Sequence, residues 1–118
     1  MDSTLIDIVY SISIHNDELA FNKLYHHYFA GLVSFATSIV NNEAVAEEMV
    51  EDVFVKVWLQ RKNLLAIQDL SQYIYTATKN TCLNYLKSKN NKFHEEIGEH
   101  FQFSAPVSSV GEQQENIN

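Results

Sequence analysis

Apolar residues recur every three or four positions along two adjoining stretches, and this repeat constrains the fold more than any other feature of the chain. In residues 18–41 the repeat consists of Phe21, Leu24, Tyr25, Tyr28, Leu32, Phe35, Ala36 and Ile39. In residues 43–61 it consists of Ala46, Met49, Val50, Val53, Phe54, Val57 and Trp58. Such spacing places the side chains on one face of a helix, so each stretch is predicted to be an amphipathic α-helix that packs against a core.

Two further helical patterns flank this pair. Residues 4–13 repeat apolar side chains at helical spacing, which predicts a short N-terminal helix. Residues 71–90 are predicted to form the last long helix, with Ser71 as its N-cap. The predicted inward face of this helix comprises Ile74, Thr78, Thr81, Cys82 and Tyr85. Because the chain has only three glycines and one proline, we predict an all-α fold, a compact bundle of three long helices plus the short N-terminal helix.

Polar residues mark the breaks between the helices. Asn16 or Asp17 is expected to cap the second helix, and the pair Asn41 and Asn42 is expected to end it and start the third. Residues 64–69 form a connector that is too apolar to be a plain solvent loop.

Periodicity is lost after two consecutive asparagines at positions 90 and 91. Residues 94–118 contain five glutamates and no lysine or arginine, so they carry −5 of the formal net charge of −7. We therefore predict one helical domain over residues 1–92 and a flexible acidic tail over residues 93–118.

The sequence also limits where the protein functions. A single cysteine, Cys82, excludes a disulfide framework and is typical of a reducing cytoplasm. No window approaches the roughly 20 apolar residues of a membrane span. The N-terminus has Asp2 and Asp7 where a signal peptide would carry basic residues. We expect a cytoplasmic protein without a membrane span.

Catalytic and metal-binding patterns are absent from the sequence. The adjacent His26 and His27 would point about 100° apart on a helix, so they cannot share a metal ion without another ligand. The buried stripe position of Cys82 indicates a small core residue instead of a nucleophile. The sequence contains no glycine-rich phosphate loop. We expect no catalytic residue, no metal, no cofactor and no enzymatic activity.

Charge is segregated between the third and fourth helices. On the third helix Glu48, Glu51 and Asp52 lie opposite the apolar stripe, together with Val55 and Leu59. Residues 71–93 contain four lysines and no acid. The segregation suggests two different partners on two different faces. The alternatives are a solvated acidic face with two incidental apolar residues and a solvated helix with scattered lysines.

These two helices resemble region 2 of the extracytoplasmic-function sigma factors, the promoter-specificity subunits of bacterial RNA polymerase. Residues 46–58 (AEEMVEDVFVKVW) are similar to the family's segment that binds the polymerase clamp. Residues 73–80 (YIYTATKN) are similar to its promoter-reading helix, and residues 24–28 (LYHHY) resemble the opening of the domain. The resemblance covers residues 18–90.

The chain departs from the family pattern at several positions. The family usually carries Gln where Glu51 stands and Glu where Asp52 stands, so the clamp-facing side is more acidic here. Lys79 replaces a common Arg and loses bidentate phosphate geometry. Thr78 replaces a small apolar residue, and Asn84 replaces an acid.

Full members of the family carry a second helical domain that reads the upstream promoter element, and nothing in these 118 residues corresponds to it. The chain is then either a fragment, which we favour, or a stand-alone region 2. In a fragment, residues 93–118 would be the start of the linker between the two domains.

The resemblance implies a protein that binds core RNA polymerase and recognises and melts the minus-ten promoter element. The polymerase partner would be the clamp coiled coil of the largest subunit. The residues implied in clamp binding are Glu48, Glu51, Asp52, Val55, Lys56 and Leu59. The DNA partner would be the non-template strand of the minus-ten element. The residues implied in DNA binding are Tyr75, Thr76, Lys79, Asn80, Leu83, Asn84 and Lys87.

Each implied DNA contact has a chemical role. Lys79 and Lys87 would neutralise phosphates, which is independent of sequence. Asn80 and Thr76 would contact exposed base edges, and Tyr75 would offer a stacking surface. A base turned out of the stack would enter a pocket formed with the connector.

One alternative is an interaction module that binds polymerase or an anti-sigma factor without reading DNA. The acidic tail and the missing second domain favour this alternative. A small helical enzyme is a further class, which no residue pattern in the sequence supports.

Overall fold

The computed structural model describes the backbone of residues 3–97 and the side chains of residues 3–90. In chain order the elements are α1 (Ser3–His15), α2 (Glu18–Val40), α3 (Glu43–Leu59), a 3₁₀ helix (Arg61–Ala66) and α4 (Leu70–Ile97). No strand occurs among these residues, and the predicted all-α fold is confirmed. Residues 98–118, which hold most of the predicted acidic tail, lie outside the described residues.

Polar residues cap both ends of α2 and the start of α3, as the sequence predicts. The Asp17 carboxylate accepts a hydrogen bond from the Ala20 backbone N–H at 3.1 Å, so Asp17 is the N-cap of α2. Asn41 ends α2 in the left-handed conformation, with φ 59°. The Asn42 side chain then accepts from the Val45 N–H at 3.0 Å and starts α3.

The start of α4 differs from the prediction, because Asp69 caps this helix instead of Ser71. The Asp69 carboxylate accepts from the Gln72 backbone N–H at 3.0 Å. The Ser71 hydroxyl instead shares a 2.6 Å hydrogen bond with the Tyr28 hydroxyl of α2. Leu70 is 1% exposed and already belongs to the helix, so the cap lies two residues earlier than predicted.

The end of α4 also differs, since the helix continues to Ile97, seven residues past the predicted end at Asn90. Asparagine costs a helix interior only about 0.7 kcal/mol relative to alanine, too little to stop a helix alone. The next glycine in the sequence is Gly98. The backbone described therefore stays helical across the predicted domain boundary at residues 92 and 93.

The chain divides into two units, the first ending at Leu83 and the second beginning at Asn84. In the first unit the predicted apolar stripes form the core. Its largest fully buried side chains include Ile12, Leu24, Leu32, Leu64, Leu70, Ile74, Val50, Val53, Val57, Thr78 and Cys82. Trp58 is only half-buried, at the edge of the core, with the Arg61 guanidinium carbon 4.2 Å from its ring centroid.

The connector is a structured part of the core, as its composition predicts. The 3₁₀ helix buries Leu64, which is 1% exposed, and packs against α1. The Ser13 hydroxyl of α1 donates to the Lys62 carbonyl at 3.2 Å. Among the helices described, none is both long enough and apolar enough to cross a membrane.

Aromatic contacts align α3 with α2. Phe21 packs edge-on against Trp58, with 5.1 Å between ring centroids, and Tyr25 packs edge-on against Phe54 at 4.9 Å. Edge-to-face pairs each contribute about 0.5–1.5 kcal/mol beyond their buried area. The cluster fixes which side of α3 faces the core, and so also which side remains outside.

Candidate functional site on two helix faces

The outer side of α3 carries a straight row of exposed residues. Glu48, Asp52, Val55 and Leu59 are spaced four, three and four residues apart, which places them along one line of the helix. We call these four residues the α3 row. Val55 is 57% exposed and Leu59 is 72% exposed. Two such apolar side chains beside two carboxylates form a surface suited to a partner that is both basic and apolar.

The other two predicted clamp-binding residues flank the α3 row. Glu51 lies towards α2, and Lys56 lies in the last turn on the opposite flank; both are exposed. At 100° per residue all six residues fall within about 140° of the helix circumference. The structure therefore brings the whole predicted set onto one side of α3.

The outer side of α4 carries the second row in the first unit. Thr76, Asn80 and Leu83 are spaced four and three residues apart, opposite the buried Ile74 and Thr78. Asn80 is exposed, and its amide both donates and accepts hydrogen bonds, as contact with a base edge requires. Leu83 is 41% exposed and adds an apolar contact.

Tyr75 lies at the edge of the outer α4 face and not on it, contrary to the sequence-based placement. Its ring packs edge-on against Phe35 of α2, with 5.2 Å between centroids. Its hydroxyl lies over Gly31, where a Cβ would come within 2.6 Å of the hydroxyl oxygen. Because Gly31 has no Cβ, the Tyr75 ring can pack against α2. Lys79, one turn later on the same flank of α4, is also half-buried.

Gly31 and Phe35 are thus positioning residues that the sequence analysis missed. A glycine inside an otherwise helical pattern often marks a close approach by another element, and this signal was available at Gly31.

The remaining predicted DNA-binding residues lie in the second unit. Asn84 and Lys87 are both exposed on the part of α4 that belongs to this unit. Nearby, the Lys89 ammonium lies 6.0 Å from the centroid of the Tyr85 ring.

Two cavities lie where the connector meets α1. One, of about 270 Å³, is mainly apolar and is lined by Ile6, Val9, Leu64, Leu65, Ile67 and Gln68. The other, also of about 270 Å³, is more polar and is lined by Leu5, Gln68, Asp69, Leu70 and Ser71. The connector therefore forms recesses with α1, and the start of α4 contributes Leu70 and Ser71 to the second of them.

Cys82 and the pair His26 and His27 are the other reactive side chains that the sequence analysis considered. Cys82 is fully buried, and burial raises the pKa of its thiol, which keeps it protonated near neutral pH. His26 and His27 are exposed, and each makes an edge-on ring contact with a neighbour in sequence, Tyr25 and Tyr28 respectively. In residues 3–90 no three His, Cys, Asp or Glu side chains are grouped to bind a metal ion.

Comparison with known proteins identifies a family for this helical segment. The sequence model described as Sigma-70 region 2 matches residues 24–92, more than half of the chain. The match includes most of α2, all of α3 and the whole predicted DNA-binding set on α4.

A curated sigma factor is also similar to part of the chain. The RNA polymerase sigma factor SigZ of Bacillus subtilis is 24% identical over 66 residues, which cover 56% of this chain and 38% of that protein. The chain thus aligns with little more than a third of the length of that relative. No solved structure matches the chain at a significant level.

Proposed function

The chain belongs to the Sigma-70 region 2 family, and from that premise we propose that it acts in transcription initiation by joining core RNA polymerase to promoter DNA. The observation that carries the proposal is that the matched segment presents two outward-facing rows. The α3 row is exposed, acidic and apolar, and the row on α4 combines the half-buried Thr76 with the exposed Asn80 and Leu83. The motifs at residues 46–58 and 73–80 support the narrower assignment to the extracytoplasmic-function group.

The α3 row is the proposed docking surface for the polymerase clamp. Full burial of a valine or leucine contributes about 1.5–3 kcal/mol, and Val55 and Leu59 are both more than half exposed before docking. Glu48 and Asp52 would pair with basic residues of the clamp, which favours rapid association and correct register. The clamp coiled coil of the largest subunit is a partner of this chemistry.

Charge reversal on the α3 row tests this docking. We expect Glu48→Lys with Asp52→Lys to abolish binding to core polymerase in a pull-down, because both changes place like charges against a basic partner. Both side chains are exposed, so the unfolding free energy should change by less than about 0.5 kcal/mol.

A matched control keeps the same change in net charge at exposed sites away from the α3 row. Asp7→Lys with Glu18→Lys should bind core polymerase like wild type. Wild-type binding by the double variant of the α3 row would rule out this row as the docking surface.

The outer face of α4 is the proposed promoter-reading surface. Lys79 and Lys87 would contact phosphates of the non-template strand, while Asn80 and Thr76 would contact base edges of the minus-ten element. Such contacts exist only with the unpaired strand, so binding would favour the open promoter over the closed one. The protein would promote opening without covalent chemistry and without a cofactor.

A second candidate function is an interaction module that binds polymerase or an anti-sigma factor without reading DNA. The packing of Tyr75 against Phe35 favours this candidate, since it leaves less of the ring for base stacking. The net charge of −7 also opposes binding to nucleic acid. The two candidates make opposite predictions for Asn80, which only the promoter-reading function requires.

A further inference from the structure

A groove of about 460 Å³ runs along the seam between α2 and α3. Its residues belong to neither predicted interface. One wall comes from α2 and the other from α3. The α2 wall consists of Phe29, Ala30, Val33, Ser34 and Thr37, and the α3 wall consists of Glu43 and Glu47. On α2 these residues lie on a different flank from Gly31 and Phe35, which contact Tyr75.

The α2 side of the groove is mainly apolar, and we call it the apolar floor. Val33 is 8% exposed, and Phe29 is half-buried with its ring stacked on Tyr25, 5.0 Å between centroids. The Thr37 hydroxyl donates to the Val33 carbonyl at 2.7 Å, so its donor is already used within α2. An occupant of the groove would therefore meet mainly apolar surface on this side.

The α3 wall is negatively charged. Glu43 and Glu47 are one helical turn apart and both exposed, and within residues 3–90 neither carboxylate forms an ion pair or a hydrogen bond. The negative charge of Glu47 also acts on Tyr25 of α2. Burial is the largest cause that raises the pKa of the Tyr25 hydroxyl, followed by the charge of Glu51 and then that of Glu47.

The segments that form the groove contain no lysine or arginine. Between Lys23 and Lys56 the sequence has no lysine or arginine, and that interval contains the whole groove. An apolar floor beside unpaired carboxylates is complementary to a helix with an apolar stripe flanked by lysine or arginine.

We propose that the groove between α2 and α3 is a second protein-docking site, which takes a basic amphipathic helix from a protein partner. The apolar stripe of that helix would lie on Phe29 and Val33, and its cations would pair with Glu43 and Glu47. The α3 row is displaced around α3 by about 100° from Glu47, so polymerase and this partner would contact neighbouring surfaces. Glu51, one turn after Glu47, is the predicted clamp-binding residue that lies nearest to the groove. The inference does not depend on the proposed promoter reading.

A synthetic peptide tests the proposal on the full chain. The probe is a helical peptide of about 15 residues with a leucine stripe flanked by arginines, and its matched control carries glutamates in place of the arginines. In ¹H–¹⁵N NMR titrations we expect the arginine peptide to shift the amide resonances of Phe29, Ala30, Val33 and Glu47 saturably. The glutamate peptide should shift none of them.

Charge variants separate the groove from the α3 row. Glu43→Lys with Glu47→Lys should weaken the binding of the arginine peptide by about tenfold or more, because two attractive charge pairs become repulsive ones. Glu48→Lys with Asp52→Lys changes the net charge by the same amount as the pair at 43 and 47. This variant should weaken binding of the arginine peptide by no more than about threefold. If the lysine pair at 43 and 47 prevents folding, the nearly isosteric Glu47→Gln should still weaken binding by about twofold to threefold.

Several results would overturn the proposal. These are the absence of saturable binding, shifts confined to the α3 row, or equal weakening by the two charge-reversed pairs. Concentration-dependent shifts of the same resonances without any peptide would assign the groove to a second copy of this chain instead, and would equally refute a separate partner.

Discussion

At the scale of single residues, Gly31 decides where Tyr75 lies. An added Cβ at position 31 would meet the Tyr75 hydroxyl oxygen at 2.6 Å, whereas the next nearest atom, Cζ of the same ring, is 3.9 Å away. Only the hydroxyl therefore depends on the glycine. The contact keeps the Tyr75 ring edge-on to Phe35. It thereby places Tyr75 at the edge of the proposed promoter-reading face.

A double-mutant cycle measures this contact. In an exposed helical position glycine-to-alanine substitution stabilises by about 0.5–1 kcal/mol. We expect Gly31→Ala to give this full gain in a Tyr75→Phe background, where the hydroxyl is gone, and a clearly smaller gain or a loss in wild type. Urea unfolding of the four proteins provides the free energies. Equal effects in both backgrounds would show that the hydroxyl does not occupy the space over Gly31.

At the scale of elements, apolar periodicity was enough to predict the helices and their buried faces. Val50, Val53 and Val57 on α3 are buried as predicted, and Glu48, Asp52 and Leu59 are exposed as predicted. Periodicity states which face of a helix is buried but not which neighbour covers its edge. For this reason neither the packing of Tyr75 on α2 nor the groove that joins Phe29 to Glu47 could be predicted.

Helix ends were predicted less well, because several adjacent residues can supply a cap. Asp69 and Ser71 are both good capping types, and only the tertiary hydrogen bond of Ser71 to Tyr28 shows that its hydroxyl is engaged elsewhere. The choice between them depends on contacts 43 positions apart in sequence, which local patterns do not contain.

Substitutions at these two residues test their different roles. Asp69→Ala should cost about 1 kcal/mol of unfolding free energy, and Asp69→Asn should restore most of it, because asparagine also caps. Ser71→Ala should cost about 1 kcal/mol in wild type but much less in a Tyr28→Phe background, where its partner is absent. Thermal unfolding followed by circular dichroism suffices. If Ser71→Ala lowers the unfolding free energy by the same amount in wild type and in the Tyr28→Phe background, Ser71 would be the capping residue after all.

At the scale of the whole molecule, the arrangement of charge matters more than its sum. The chain is acidic overall, yet residues 71–93 contain four lysines and no acid. Long-range repulsion from the other acids weakens any encounter with DNA in isolation. We therefore expect useful DNA binding only when core polymerase holds the protein through the α3 row and positions α4 against the unpaired strand.

The most direct measurement is the affinity of the complex of core polymerase and this protein for single-stranded minus-ten oligonucleotides of varied sequence, compared between wild type, Lys79→Ala and Asn80→Ala. Lys79→Ala removes a phosphate contact, so we expect weaker binding to every sequence and a salt slope reduced by about 0.7. Asn80→Ala removes a base-edge contact, so we expect a loss of about 1–3 kcal/mol on the preferred sequence and little change on the others. Wild-type affinity of Asn80→Ala for every sequence would show that the outer face of α4 does not read bases, and would favour the interaction module.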